Sequence, residues 1–358
     1  MIPAVLIIAT VALNSFMFRT YSAPSISFMS ISRRFVWIIL HEYPSHQLLA
    51  MPRSLPVVIY WTRYHNSETI SSGGDMAARK IGILHPGQMG VSIAANAKGE
   101  TNRVVWASEG RGSDTKRRAD EAGLEDAGTI ARLCAECDVI FSVCPPHAAE
   151  DVAAEVVSAG FTGTFVDANA ISPDRTSRIA ATVKEAGITF VDGGIVGGPA
   201  WKPGTVLYLS GAAADEVATC FGDGPLEVAV IGDEIGRASA LKMCFAAYTK
   251  GTTALLSAIL ATAENLGVRD DLYRQWTRGD AGFPEQTENR VRNVTAKAWR
   301  FAGEMDEIAA TFRSAGLPGE FHDAAAEIYR RTAGFKDAPE TPSLAEVIAA
   351  LARDSGDV

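Results

Sequence analysis

From Lys80 onwards short apolar runs alternate with longer helix-forming stretches, and this alternation constrains the fold more than any other feature of the 358 residues. Runs at 80–84, 104–108, 139–143, 164–167 and 189–192 read as strands, and 91–97, 114–122, 129–136, 148–158 and 173–186 read as helices. Strands joined through helices run parallel, and a parallel sheet needs cover on both faces. The expected fold class is α/β: a doubly wound, mainly parallel Rossmann sheet, followed by an all-α C-terminal domain. Ligands of such sheets bind beyond the carboxyl ends of the strands.

The first strand runs into His85-Pro86-Gly87-Gln88-Met89-Gly90 and then an Ala-rich helix. A dinucleotide fingerprint needs a tight turn, a bare position where the backbone meets the pyrophosphate, and a glycine for helix–strand packing. Gly87 and Gly90 supply the last two at the right spacing. His85 stands where the first glycine is usual, and Pro86 biases it towards extended backbone. All six residues of the turn are candidate cofactor ligands, with His85 a lining residue rather than a catalyst. At the end of the second strand, Ser108, Arg111 and Ser113 make a phosphate cradle that favours NADP, while Glu109 turned inward would favour NAD. Cys144-Pro145 ends a later strand on the same edge, where proline closes over a cofactor without leaving an unpaired amide.

Composition narrows the function from another side. A net charge of −9 argues against a nucleic-acid partner, which would need a basic face. Five cysteines and six scattered histidines show no disulfide framework and no zinc spacing, so neither metal nor redox pair is expected, and Cys134 and Cys137 read as buried thiols. Residues 1–75 stand apart, with two of the 32 glycines and five arginines against three acids. Met1–Phe18 is uncharged but has no basic segment in front and is interrupted by Pro3, Thr10, Asn14 and Ser15. The expected organisation is an extension over 1–76 outside the fold, a cofactor domain over 77–235, a helical domain over 236–335 and a tail over 336–358. A cytoplasmic protein without a membrane partner follows from that reading.

A proline-free stretch from Gly236 to Leu266 reads as one long helix, roughly 45 Å at about 1.5 Å per residue. Lys242 sits in its apolar part. Such a lysine either snorkels to water or, poorly hydrated, has a lowered pKa and handles protons. Lys250 lies about 80° around the helix from it by the 3.6-residue period and is a second candidate for substrate contact. Downstream, 270–278, 288–300, 305–315, 320–333 and 343–353 read as further helices, with Trp299 and His322 either near the pocket or in the core. The apolar faces left by these helices imply a homodimer formed through the helical domain.

Several of these segments together resemble the β-hydroxyacid dehydrogenase and 6-phosphogluconate dehydrogenase superfamily over 78–333. Ile81–Gly90 is similar to its cofactor loop, Asp167–Pro173 to its substrate loop, Asp192–Pro199 continuing to Thr205 to its glycine-rich substrate segment, and Gly236–Gly251 to its catalytic-lysine helix. The stretch 267–331 resembles the helical domain of a phosphogluconate-dehydrogenase-like branch. The resemblance implies Lys242 as acid/base, Asn169 as a catalytic or substrate-orienting group, and close substrate approach at Gly197 and Gly198. It also implies a nicotinamide cofactor and a small-molecule hydroxy or carbonyl substrate. This chain departs from the pattern at Asn169-Ala170, Val196 and Phe245, where hydroxyl and amide groups are usual. Those losses argue against a standard small 3-hydroxy acid or 6-phosphogluconate. Two alternatives keep the scaffold: reduction of a C=N bond, or an NADP-sensing binding protein without turnover.

Overall fold

The computed structural model describes residues 8–11, 36–39, 78–99, 101–336 and 338–352. Two compact units separate, Met1–Asp75 and Met76–Val358. Within the first, β1 (Ile8–Val11) pairs antiparallel with β2 (Val36–Ile39). The rest of the expected extension lies outside the described residues, as does the tail beyond 352.

The second unit opens with β3 (Lys80–Ile83), α1 (Gln88–Lys98), β4 (Arg103–Trp106), α2 (Ser113–Glu121), β5 (Glu125–Asp126) and α3 (Ile130–Glu136). It continues through β6 (Val139–Ser142), α4 (Ala149–Ser158), β7 (Thr164–Asp167), α5 (Pro173–Glu185) and β8 (Thr189–Val196). Then come β9 (Thr205–Ser210), α6 (Ala214–Ala218) and β10 (Leu226–Val230). The strands form one sheet in the order β10-β9-β8-β7-β6-β3-β4-β5. Every neighbouring pair is parallel except β8 with β9. Two-residue alternation sorts the side chains: Ile81, Ile83, Val104, Trp106 and Phe141 enter one core, and Val105, Ile140 and Phe165 the other. Gly82 leaves room for α3, since a Cβ there would lie 2.7 Å from Leu133 Cδ2.

The chain leaves β3 towards β4 and β5, then returns to β6 on the other side of β3. That reversal is a topological switch point, where sheets of this kind open a crevice. Two strands escape the alternation rule. β9 and β10 follow β8 with no helix between β8 and β9, so they turn back antiparallel to the rest.

Beyond the sheet, α7 (Arg237–Ala246), a π-helical turn (Ala247–Gly251) and α8 (Thr252–Asn265) form one continuous helix. Its Met243, Ala246 and Ala254 are buried against α10 (Phe283–Ser314) and α11 (Glu320–Arg331). α9 (Arg269–Thr277) and α12 (Leu344–Leu351) complete the helical part. The expected break between helices at 288–300 and 305–315 is absent, because Gly303 sits inside α10 with open space around its Cα and no need for an irregular backbone. His322 belongs to a core, packed edge-on against Phe312 and Phe321 rather than facing a ligand.

Candidate active site

The turn after β3 is shaped by backbone. The Gly87 amide donates to the His85 carbonyl at 2.8 Å, and α1 begins at once on Gln88. Gly90 is obligatory, since a Cβ there would stand 2.1 Å from the His85 carbonyl oxygen. Gly87 has nothing within 4 Å of its would-be Cβ, so the turn is bare on its outer side. The first amides of α1 face that opening with no acidic residue in the first turn, which is how a helix N-terminus receives an anion. Arg118 of α2 braces the turn, donating from Nε to the Pro86 carbonyl at 3.3 Å. The spacing of glycines does not reveal Arg118, which lies one element further on.

This turn forms one side of a cavity of about 1160 Å³. Gly87, Gln88, Met89 and Gly90 line it together with Cys144 and Pro145 beyond β6, and Asn169, Gly197 and Gly198 beyond β7 and β8. The opposite side is helical and carries Lys242, Lys250, Lys297, Arg300, Glu304 and Lys336. A smaller cavity of about 460 Å³, between Lys184 and Ile235, sits at the amino end of β8, away from the switch point.

Five expected cofactor residues, His85, Pro86, Ser108, Arg111 and Ser113, lie outside the lining of the large cavity. His85 and Arg111 nevertheless have buried nitrogens, Nδ1 and Nε, without a partner. Burial and then the Arg111 charge push the His85 imidazole down to about 4, so it is neutral at physiological pH. Glu109 is exposed, its amide donating to the Gly128 carbonyl at 2.8 Å. The Cys144 thiol is pushed up to about 12 by burial and is not a nucleophile.

Asn169 is buried with both ends of its amide engaged. Its Oδ1 accepts from the Cys144 amide at 2.6 Å, and its Nδ2 donates to Ser142 Oγ at 3.1 Å. It therefore positions the loop beyond β6. Its own amide donates to Asp167 Oδ1 at 3.0 Å, while Asp167 Oδ2 is buried without a partner. Burial, with a push from the neighbouring Asp192, raises the Asp167 carboxyl to about 7.

Lys242 is placed by β8. Asp192 Oδ2 accepts from the amides of Gly236 and Ser239, both at 3.0 Å, and Asp192 Oδ1 accepts from Ser239 Oγ at 2.6 Å. A carboxylate is thus locked onto the first turn of α7. Gly194 lets that helix approach, since a Cβ there would be 2.5 Å from the Ala238 carbonyl oxygen and 3.2 Å from Lys242 Cβ. The Asp192–Gly194 part of the glycine-rich segment docks the lysine helix, whereas its Gly197-Gly198 part lines the cavity. Gly197 takes φ +128°, and Gly198 holds Thr205 through its carbonyl at 2.8 Å. Burial first, and the Lys250 ammonium next, bring the Lys242 amine down to about 8, with Glu304 opposing the shift and Arg300 adding to it.

Lys250 is ion-paired with Glu304, and its ammonium lies 4.7 Å over the Phe301 ring. The π turn explains how it reaches this position. An extra residue in the turn takes back about 100° of rotation, which turns the roughly 80° that separates Lys250 from Lys242 on a regular helix into about 20° in the opposite sense. Carbonyls loosened by the wide turn are recovered by side chains. Thr249 O accepts from Thr253 Oγ1 at 2.8 Å and from Arg290 at 2.6 Å, and Lys250 O accepts from Tyr329 at 2.8 Å.

Comparison with known proteins agrees with this geometry. Residues 80–220 match the NAD binding domain of 6-phosphogluconate dehydrogenase, and 263–332 match a domain of unknown function, DUF1932. The chain thus carries an NAD-binding domain of the 6-phosphogluconate dehydrogenase type, followed by a DUF1932 domain. An uncharacterized 28.5 kDa protein of Methanothermus fervidus is 28% identical over 231 residues, 64% of this chain and 89% of that protein. The structure of a conserved hypothetical protein from Sinorhizobium meliloti has 25% identity and a TM-score of 0.58, covering 77% of this chain and 96% of that one. Another conserved protein, described as structurally similar to 3-hydroxyacid dehydrogenases, has 27% identity and a TM-score of 0.52 over 71% of this chain and 99% of its own.

Proposed function

We propose that this oxidoreductase prefers NADP and moves hydride between the nicotinamide and a small hydroxy or carbonyl substrate, with Lys242 as acid/base. The observation that carries the reading is Lys242 itself: a partly buried amine without an ion-pair partner among the described residues, facing the phosphate-type turn across one cavity. The residues present fit a dinucleotide. Gly90 makes the close helix contact, Gly87 leaves bare backbone, and Arg118 adds positive charge beside α1. When bound, the cofactor supplies or accepts the hydride. Arg111, with an unpartnered buried Nε, supports the preference for the extra phosphate of NADP, with Ser108 and Ser113 beside it in sequence.

In carbonyl reduction the Lys242 ammonium gives a proton to the substrate oxygen; in alcohol oxidation the neutral amine removes it. An amine near 8 populates both forms at physiological pH. Lys250, neutralised by Glu304, contributes charge tuning, and Asn169 holds the Cys144-Pro145 loop over the cavity. Imine reduction is less well supported, because its protonated substrate is a cation and the helical side of the cavity is itself cationic. Leu241, Phe245 and Tyr248 form an exposed apolar stripe on the long helix, which supports a homodimer.

The deciding experiment pairs calorimetry with isotope transfer. Stereospecific deuteride transfer from labelled NADPH to a member of a keto-acid and aldehyde panel is the expected result. Binding of NADPH without transfer to any carbonyl or imine would leave the sensor reading, and no affinity for either nicotinamide nucleotide would end the proposal.

A further inference from the structure

The chain carries a net charge of −9, yet the helical side of the cavity gathers Lys242, Lys250, Arg290, Lys297, Arg300 and Lys336 around a single carboxylate, Glu304. Three of these cations are accounted for. Lys250 is paired with Glu304, Arg290 is bonded to Thr253 Oγ1 and the Thr249 carbonyl, and Lys242 is the proposed acid/base. Lys297, Arg300 and Lys336 have no carboxylate partner among the described residues.

Arg300 is the informative member. Its Nε is buried and without a hydrogen-bond partner, and its guanidinium lies 5.4 Å from the Phe301 ring centroid. Lys336 extends over the Trp299 ring, 4.4 Å from its centroid. Aromatic faces hold a cation in place but leave its N–H donors unsatisfied. Like charges gathered in one cavity repel one another, and a fold tolerates that arrangement when a ligand anion completes it. The phosphates of a dinucleotide are provided for elsewhere, at the first turn of α1 and at the end of β4.

We propose that Arg300, flanked by Lys297 and Lys336, forms an oxyanion-binding subsite on the helical wall, filled by a carboxylate or phosphate that the substrate carries apart from its reacting carbon. The assignment to substrate rests on the hydride-transfer reading above. It answers the loss of hydroxyl and amide groups at Ala170, Val196 and Phe245: anion recognition has moved from the loops of the sheet to α10 and the turn after α11. The subsite also couples binding to chemistry. Arg300 is among the charges that hold the Lys242 amine low, so an anion that neutralises Arg300 favours the protonated, donating form of Lys242 as substrate arrives.

The test is calorimetric titration of the full chain, free and saturated with NADP+, using inorganic phosphate and malonate as probes of the two oxyanion sources. One probe is expected to bind with an affinity that falls with salt. Arg300→Gln and Lys336→Gln should each lower it at least tenfold with NADP+ affinity within twofold, and Arg300→Lys should keep part of it. Tighter phosphate points to a phosphorylated substrate, and tighter malonate to a carboxylate. Absence of binding by both probes, or unchanged affinity in a folded Arg300→Gln, would overturn the proposal. A parallel loss of NADP+ and probe would also overturn it, by giving these cations to the cofactor. If NADP+ fails to bind the wild type, the hydride reading falls alone, while the free-chain titration still decides the subsite.

Discussion

Across the cavity, the turn at Gly87–Gly90 and the helical wall at Lys242–Lys336 offer anions the same sign of charge by opposite means. The turn presents amides and empty space, and its positive end is the sum of peptide dipoles along α1. The wall presents ammonium and guanidinium groups from four separate stretches of chain: α7, the π turn, α10 and the turn after α11. Backbone charge is fixed and does not titrate, which suits holding a cofactor that must sit in one place. Side-chain charge is adjustable, and at Lys242 adjustability is the chemistry.

The largest effect should come from damaging the backbone side. Gly90→Ala places a methyl group 2.1 Å from the His85 carbonyl oxygen, so the helix must move off the strand. Nicotinamide nucleotide affinity is expected to fall more than a hundredfold, read by calorimetry. Damage to the other side should leave binding intact. Lys242→Met is expected to reduce turnover by about 10² to 10⁴, the usual worth of a positioned acid or base, with the cofactor dissociation constant within twofold.

Titration distinguishes the walls more finely. With the Lys242 amine near 8, carbonyl reduction needs the ammonium and should decline as pH rises through about 8, whereas alcohol oxidation should rise over the same interval. Both limbs are expected to vanish in Lys242→Met. Cofactor affinity gathered by amides should stay flat over that interval. Arg111→Gln should weaken NADP by about 10- to 150-fold, as expected for losing a charged hydrogen bond of about 1.5–3 kcal/mol, and leave NAD unchanged.

The smallest expected effect lies beneath the floor of the cavity. Asp167 has its folded carboxyl raised by burial to about 7, well above the ordinary carboxylate range, so the folded chain keeps a proton that the unfolded chain releases. Its contribution to stability is present at low pH and is lost as pH climbs from about 4 through about 7. Asp167→Asn should remove that slope and raise the melting temperature at pH 8 by a few degrees, measured as a melting series across pH.

The same contrast governs what the sequence discloses. The β3–α1 turn is local: strand, glycines and helix occupy nineteen successive residues, and spacing alone exposes them. Thr129 and Ser343 likewise mark helix starts, each accepting from the amide three residues on. The helical wall is assembled from residues up to 94 apart, and its members look like ordinary solvated cations. Arg290, Lys297, Arg300 and Glu304 recur at the spacing of one helix face, but a charged stripe normally faces water, so the pattern alone does not point inwards. Lys242 emerges only through the superfamily resemblance, because nothing in its own neighbours separates a tuned amine from a snorkelling one. β9 and β10 escape for a related reason: their pairing depends on a reversal after β8, not on a helical crossover.

The widened turn at Ala247–Gly251 makes the long helix a shaft in two sections, geared to different phases. Asp192 and Gly194 set the angle of the first section, and the surplus residue sets the angle of the second independently. Excising one residue from that turn would swing all that follows by about 100°, carrying Lys250 off Glu304 while leaving Lys242 seated. A lineage that gains or loses a single codon there re-aims the second section while the first keeps its docking on β8.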